Sequence, residues 1–249
     1  MIVSIVTICK DNPEELYSTI ESYHSYLGGE VESVIIDGSV DDACLSVCNN
    51  YGVRYFKQTS SGIYGAMNEG VELCLGTSVI FMNSGDVFSE SFDLNEFVRA
   101  YEAELSNKII FGNSVLKYKD YTREFICSDR DKIGIDWIPT HQSVFMPHDF
   151  LVKNKFDESF KVSADSKLQM LAFERLKYIY VCENVCVFTL GGISSKPTCF
   201  KKTIQHCSEI IKTRGLKSKK SIFYLYFKQL SKVVVIRVLG YRLYLKAFG

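Results

Sequence analysis

Short apolar runs alternate with amphipathic stretches through the first hundred residues, and this spacing predicts strand and helix in turn. Val3 to Ile8 reads as a first strand. Asn12-Pro13-Glu14-Glu15 then opens a helix, with Asn12 as N-cap, Pro13 at the first helical position and Glu15 completing a capping-box-like pair. Leu16, Ile20, Tyr23 and Leu27 supply its apolar stripe. Val31 to Ile36 is a second strand ending at Asp37-Gly38-Ser39, and a short helix through Leu45 and Val47 leads to a third strand at Val53 to Phe56. A helix from Ile63 to Leu75 precedes a fourth strand, Ser78 to Met82, which Asn83-Ser84-Gly85 stops. Alternation of this kind predicts right-handed βαβ units and an α/β protein on a mixed, mostly parallel central sheet with flanking helices.

The second half is less regular. A helix over Asn95–Leu105 is followed by apolar runs at Lys108–Phe111, Val115–Tyr118 and Arg123–Cys127 with hairpin-like breaks. Ser143–Met146 reads as a strand returning to the central sheet, Ala164–Leu176 as a helix, and Ile179–Val181 with Val185–Leu190 as strands ending at Gly191-Gly192. The chain thus divides into residues 1–100, 101–195 and a helical tail over 196–249.

Charge changes this picture at the carboxy terminus. The net charge is zero over 249 residues, yet no Asp or Glu follows Glu209 while ten Lys and Arg lie between Lys212 and Lys246. Residues 1–209 therefore carry 19 basic and 29 acidic groups, and the tail carries +10. On a helix from Lys217 to Lys246, Lys217, Lys228, Lys232, Arg242 and Lys246 fall on one side, and Phe223, Tyr226, Phe227, Leu230, Val234 and Leu245 make the rest apolar. Such a helix suits the headgroup region of an anionic membrane. The competing reading docks these apolar residues on the body of the protein or on a second subunit, as in a homo-oligomer. Nucleic acid is not expected, because no recognition motif accompanies the charge.

A hydrophobic content of 47% is ample for a core, and no run is long and apolar enough to span a bilayer. MIVSIVTI enters a strand at once, without a basic leader or cleavage site, so a cytoplasmic protein is expected, peripheral on the inner face of the membrane if the tail binds there. The nine cysteines fit neither common zinc spacings nor a disulfide scaffold and read as reduced, buried small hydrophobes.

Ligands of open α/β sheets bind beyond the carboxyl ends of the strands, where Thr7, Asp37 and Asp86 fall. A hard divalent cation carrying a diphosphate needs only one or two protein carboxylates, and Asp86 supplies one, although Asn-Ser-Gly-Asp is also good turn chemistry. The segments SIVTICKDNPEEL, VIIDGSVDD, SGIYGAMNEG, VIFMNSGD, HQSVFM, SADSKLQM and GGIS, in this order over residues 2–195, resemble the family 2 glycosyltransferases of the GT-A (Rossmann-like) fold. The similarity is greatest to bacterial enzymes of capsule, O-antigen, colanic-acid-type and exopolysaccharide assembly.

That resemblance implies transfer of a sugar, with inversion, from a nucleotide diphosphate donor, by default a UDP-sugar, to a hydroxyl of a glycan or lipid-linked acceptor in surface polysaccharide biosynthesis. It implies a donor-binding first half, an acceptor-binding second half and a Mn²⁺ or Mg²⁺ cofactor. It casts Thr7 and Asp37 as nucleotide contacts, Asn68 and Asn83 as lying near the donor, Asp86 as the metal ligand and Asp165 as the catalytic base. His141 and Gln142 match a pair near the diphosphate or acceptor, and Trp137, the one tryptophan, is placed to stack on a sugar. Each has a plainer reading: helix-dipole acid for Asp165, structural histidine for His141, core packing for Trp137, helix surface for Asn68.

Two departures stand out. Relatives often read D-x-G-I-Y-D-A-M-N where this chain has Ser60 and Gly65, and acids often occupy the loop positions held here by Asn83 and Gly85. The missing acids keep open a non-catalytic, nucleotide-sugar-binding or scaffold protein of the same pathway. A glycine-rich dinucleotide loop is absent after the first strand, where TICKDNPEE stands.

Overall fold

The first four strands and three helices form where their apolar spacing places them: β1 (Val3–Cys9), α1 (Pro13–Glu21), β2 (Val31–Asp37), α2 (Ala43–Cys48), β3 (Arg54–Lys57), α3 (Gly62–Leu73) and β4 (Ser78–Phe81). The computed structural model describes residues 1–127, 138–191 and 199–248. Trp137, and the expected sugar contact it carries, lie outside the described residues. Onward come β5 (Val87–Phe88), α4 (Leu94–Leu105), β6 (Ile109–Tyr118), β7 (Tyr121–Phe125), β8 (Val144–Pro147), α5 (His148–Lys153), α6 (Ala164–Arg175) and β9 (Tyr178–Thr189), then the tail helices α7 (Phe200–Arg214), α8 (Lys219–Leu239) and α9 (Tyr241–Phe248).

Among the described residues the strands form one sheet in the order β3-β2-β1-β4-β8-β6-β9-β5, with β7 paired to β6. β3, β2, β1 and β4 run parallel, and β8 enters antiparallel between β4 and β6. β1, β2 and β4 are buried on both faces because helices cover each side, whereas β3 is a half-exposed edge strand. Val3 and Ile5 pack with Leu16 and Ile20 of α1, while Val6 packs with Met67 and Val71 of α3.

Three local expectations differ from the structure. Asn12 does not cap α1 through its side chain; its Nδ2 donates to Glu15 Oε2 at 2.8 Å and its Oδ1 accepts from Lys10 N at 3.1 Å. The runs expected as separate strands on either side of Gly112-Asn113-Ser114 are one strand, β6, and the two runs after Lys177 are likewise one strand, β9. Gly112-Asn113-Ser114 is a register shift against β9, not a turn. A Cβ at Gly112 would lie 2.7 Å from Glu183 O, so this close approach requires glycine.

Finally, the tail is not one helix. Gly215, at φ +58°, ends α7, and Gly240, at φ +78°, separates α8 from α9. Tyr241 and Leu245 of α9 bury against Leu190 and Ile236, and the Tyr118 and Tyr241 rings meet at 4.8 Å. Arg242 and Lys246 both pair with Asp120 beside the β6–β7 hairpin. Part of the basic tail therefore docks on the body of the chain, while Phe223, Tyr224, Phe227 and Val238 of α8 stay exposed.

Candidate active site

The loop after β4 is held by main-chain geometry. Met82 N and Ser84 N donate to Val6 O and Ile8 O, so pairing with β1 continues past the strand, and Asp86 N turns back to Asn83 O at 2.9 Å. Gly85 sits at φ +97°, a conformation that L side chains rarely adopt, and its N–H donates to Thr19 Oγ1 at 2.9 Å. An acid at position 85 would be strained here, which accounts for the glycine.

Asp86 is 4% exposed. Its Oδ1 accepts from Thr189 N at 2.9 Å and its Oδ2 from Gln142 Nε2 at 2.6 Å. Burial pushes its carboxyl up to about 6, against the lowering by these two bonds. Asp165, in the first turn of α6, lies 3.2 Å from His141 Nδ1 through Oδ2, and its Oδ1 accepts from Tyr64 OH at 3.2 Å. Burial raises its carboxyl, but the hydrogen bonds from His141, the Ser166 main chain and Tyr64 together outweigh that and hold it below the usual carboxylate value. The side chain stays 23% exposed.

His141 and Gln142 belong to a 3-10 turn, His141–Ser143, that leads into β8. One turn therefore grips both acids, Gln142 reaching Asp86 and His141 reaching Asp165. The second His141 nitrogen, Nε2, lies 3.0 Å from Asn83 Nδ2. An amide NH₂ can only donate, so Nε2 accepts and the neutral ring carries its proton on Nδ1, facing Asp165.

Asp86, Asp165, His141, Gln142 and Asn83 line one cleft of about 810 Å³. Leu116, Phe125, Ile138, Phe188 and Leu190 give it an apolar wall. Glu15, expected only as a capping residue, also lines it, as do Lys161 and Gln169, which no sequence signal marks. Gln169 follows Asp165 by four residues, a helical spacing that puts both on one face. Asn83 Oδ1, Ser84 Oγ and Gln169 Nε2 are buried atoms without a hydrogen-bond partner among the described residues.

Three expected residues do not line this cleft. Thr7 is buried with its hydroxyl 3.3 Å from Tyr23 OH. Asp37 is fully buried, accepting from Ser39 N (2.8 Å), Ser39 Oγ (2.5 Å), Tyr55 OH (2.8 Å) and Lys57 Nζ (3.4 Å). Asn68 clamps the Phe156–Glu158 segment, exchanging hydrogen bonds with the Phe156 main chain at 2.9 and 3.0 Å.

Among the described residues, the one group of three potential ligands from His, Cys, Asp or Glu within 4.8 Å of one another is Cys9, Asp37 and Cys44, all buried. Asp86 is not in that group. It also has no Lys or Arg ion pair among the described residues, unlike the buried Glu32 with Arg54 and Asp37 with Lys57.

A family model for glycosyl transferase family 2 matches residues 4–160. The chain is 24% identical over 177 residues to a PGL/p-HBAD biosynthesis glycosyltransferase of Mycobacterium bovis (strain BCG / Pasteur 1173P2), covering 67% of this chain and 69% of that protein. S. aureus TarS 1-349 in complex with UDP-GlcNAc superposes with a TM-score of 0.63 at 14% identity, over 93% of this chain and 72% of TarS 1-349. The mannosyltransferase PcManGT from Pyrobaculum calidifontis, in complex with GDP-Man and Mn²⁺, does so with 0.60 at 12% identity, over 96% and 75%. At such identities the two structures speak for the fold alone. The family match spans more than half of the sequence, and the chain belongs to glycosyl transferase family 2, a glycosyltransferase of the GT-A fold.

Proposed function

We propose that this glycosyltransferase moves a sugar from a nucleotide diphosphate donor to a hydroxyl by single displacement, with inversion, Asp165 acting as base and Asp86 holding the cation. The observation that carries this reading is the His141-Gln142 turn, which holds both acids at one cleft. An acceptor alcohol is a poor nucleophile until a carboxylate within hydrogen-bond reach takes its proton. Asp165 is partly exposed to the cleft and kept ionised by His141 Nδ1–H, so its carboxylate is ready to receive that proton. His141 then steadies the carboxyl group, and Asn83 keeps the imidazole in the donating tautomer.

Asp86 fits a hard divalent cation. It is a buried oxygen donor that lacks a basic partner among the described residues, and the orphaned Asn83 Oδ1 and Ser84 Oγ lie on the same loop. Mn²⁺ or Mg²⁺ held there would stabilise charge on the departing diphosphate. TarS has been solved with UDP-GlcNAc and PcManGT with GDP-Man, which supports a nucleotide sugar as donor, and a UDP-sugar is our reading of the two. Thr7 and Asp37, both fully buried, would serve the nucleotide by shaping the ends of β1 and β2 rather than by side-chain contact. Asn68 acts there only at second hand, through the 156–158 segment.

The apolar residues lining the cleft support an acceptor with a nonpolar portion, such as a lipid-linked glycan of surface polysaccharide assembly. Among the described residues no helix is long and apolar enough to cross a membrane. The exposed aromatic residues of α8, with the ten Lys and Arg of the tail, support peripheral contact with an anionic membrane.

Asp165→Asn tests the reading, with UDP-GlcNAc and GDP-Man as donor probes. Donor binding should persist while turnover falls by about a hundredfold or more. Turnover at the parent rate would remove Asp165 from the chemistry, and a parent chain that binds donor without turnover would favour a scaffold role.

A further inference from the structure

Glu209 lies on α7, beyond the residues matched by the family model, and is 5% exposed. It is the last acid of the chain. Its carboxylate receives four hydrogen bonds from three successive residues on the approach to α6. Oε1 accepts from Lys161 N at 2.9 Å, and Oε2 accepts from Val162 N, Ser163 N and Ser163 Oγ, each at 3.0 Å. Gln205 Nε2, one turn earlier on α7, adds a longer contact to Oε1 at 3.4 Å.

Ser163 is the N-cap residue of α6, yet its side chain makes no bond to its own helix. The hydroxyl that would ordinarily cap α6 is directed to Glu209 instead. Asp165 follows two residues later, and Lys161, Val162 and Asp165 line the same cleft. The bonds of Asp165 to His141 and Tyr64 are both 3.2 Å, at the long end of the hydrogen-bond range, so they orient the carboxylate without fixing the main chain beneath it.

We infer that Glu209 is a positioning residue for the transfer reaction: by gathering the amides of 161–163 it sets where α6 begins, and so where Asp165 meets the acceptor. The inference rests on the reading of Asp165 as base. It makes α7 part of the catalytic domain, with a boundary between α7 and α8 at Gly215, rather than the start of a detachable tail.

The test uses the full chain carrying Glu209→Gln, which keeps size and shape, together with Glu209→Ala and Glu209→Asp. UDP-GlcNAc and GDP-Man serve as donor probes, and amide hydrogen exchange is read in parallel. In Glu209→Gln the amides of 161–167 should exchange at least about tenfold faster while β1 and β4 keep their protection. The value of kcat should fall about ten- to a hundredfold with donor KM within about twofold, and Glu209→Asp should recover part of the loss, since a displacement of an ångström suffices for such an effect. Unchanged exchange, unchanged kcat, or a loss expressed wholly in donor KM would overturn the inference. A parent chain that turns over neither probe would count against the base assignment, and the exchange result would still decide whether Glu209 holds the segment.

Discussion

Burial pushes the Asp86 carboxyl up to about 6, whereas His141 holds Asp165 below its ordinary value despite burial, so one cleft contains two acids tuned in opposite directions. An acid with a raised folded value contributes stability below its unfolded value of 3.8 and loses it as pH rises through about 6. Without metal, the stability of the parent minus that of Asp86→Asn should therefore drop by about 2 kcal/mol between about pH 4 and pH 7 in thermal or urea unfolding. Taking the difference cancels the other carboxylates. Adding Mn²⁺ at pH 7 should raise the parent more than the variant, and an equal shift in both would remove Asp86 from the cation site. A Cβ at Gly65 would lie 2.5 Å from Ser60 Oγ and 3.6 Å from Glu158 Oε2. Gly65→Asp, which restores the acid common in relatives, should destabilise the chain by about 1–3 kcal/mol in urea unfolding unless Ser60 is changed too. The sequence shows Asp86 and Asp165 because a strand end and a helix start mark them. It does not show Glu209, whose partners at 161–163 lie more than forty residues away and whose role depends on the α7 packing.

Short apolar runs and helical spacing place the elements of the first half, since β1, β2 and β4 are buried and α1 and α3 each cover one face of the sheet. The same spacing misplaces the middle of β6. Gly112-Asn113-Ser114 is turn chemistry locally, but Glu183 and Val185 of β9 decide the outcome, and pairing across the sheet is not written in a local window. Gly112→Ala should cost about 1–3 kcal/mol in urea unfolding, because its Cβ would meet both Glu183 O and Val185 Cγ2 at 2.7 Å. β5, two residues long, carries no period to read. The tail shows a related limit: Gly240 breaks the helix and redirects Arg242 and Lys246 to Asp120, so a helical wheel drawn through it mixes two faces. Asp120→Lys should speed amide exchange across α9 and leave α7 unchanged.

The charge split belongs to the molecule as a whole, with the acidic body and its cleft at one end of the chain and a cationic helical tail at the other. Phe223, 72% exposed, and Val238, 75% exposed, give that tail an apolar surface to insert. The parent chain should float with anionic phospholipid vesicles, not with neutral ones, and come off in roughly 1 M NaCl. Removing 216–249, which also strips α9 from Leu190 on the cleft wall, should abolish flotation, and a truncated chain that still floats would count against the tail. The most direct test of the central claim, that Asp86 and Asp165 serve one cleft as cation holder and base, is anomalous diffraction from crystals grown with Mn²⁺ and UDP. A manganese peak is expected about 2.0–2.6 Å from an Asp86 carboxylate oxygen, with the diphosphate lying between it and Asp165. A peak at Cys9, Asp37 and Cys44, or UDP bound away from Asp165, would contradict it.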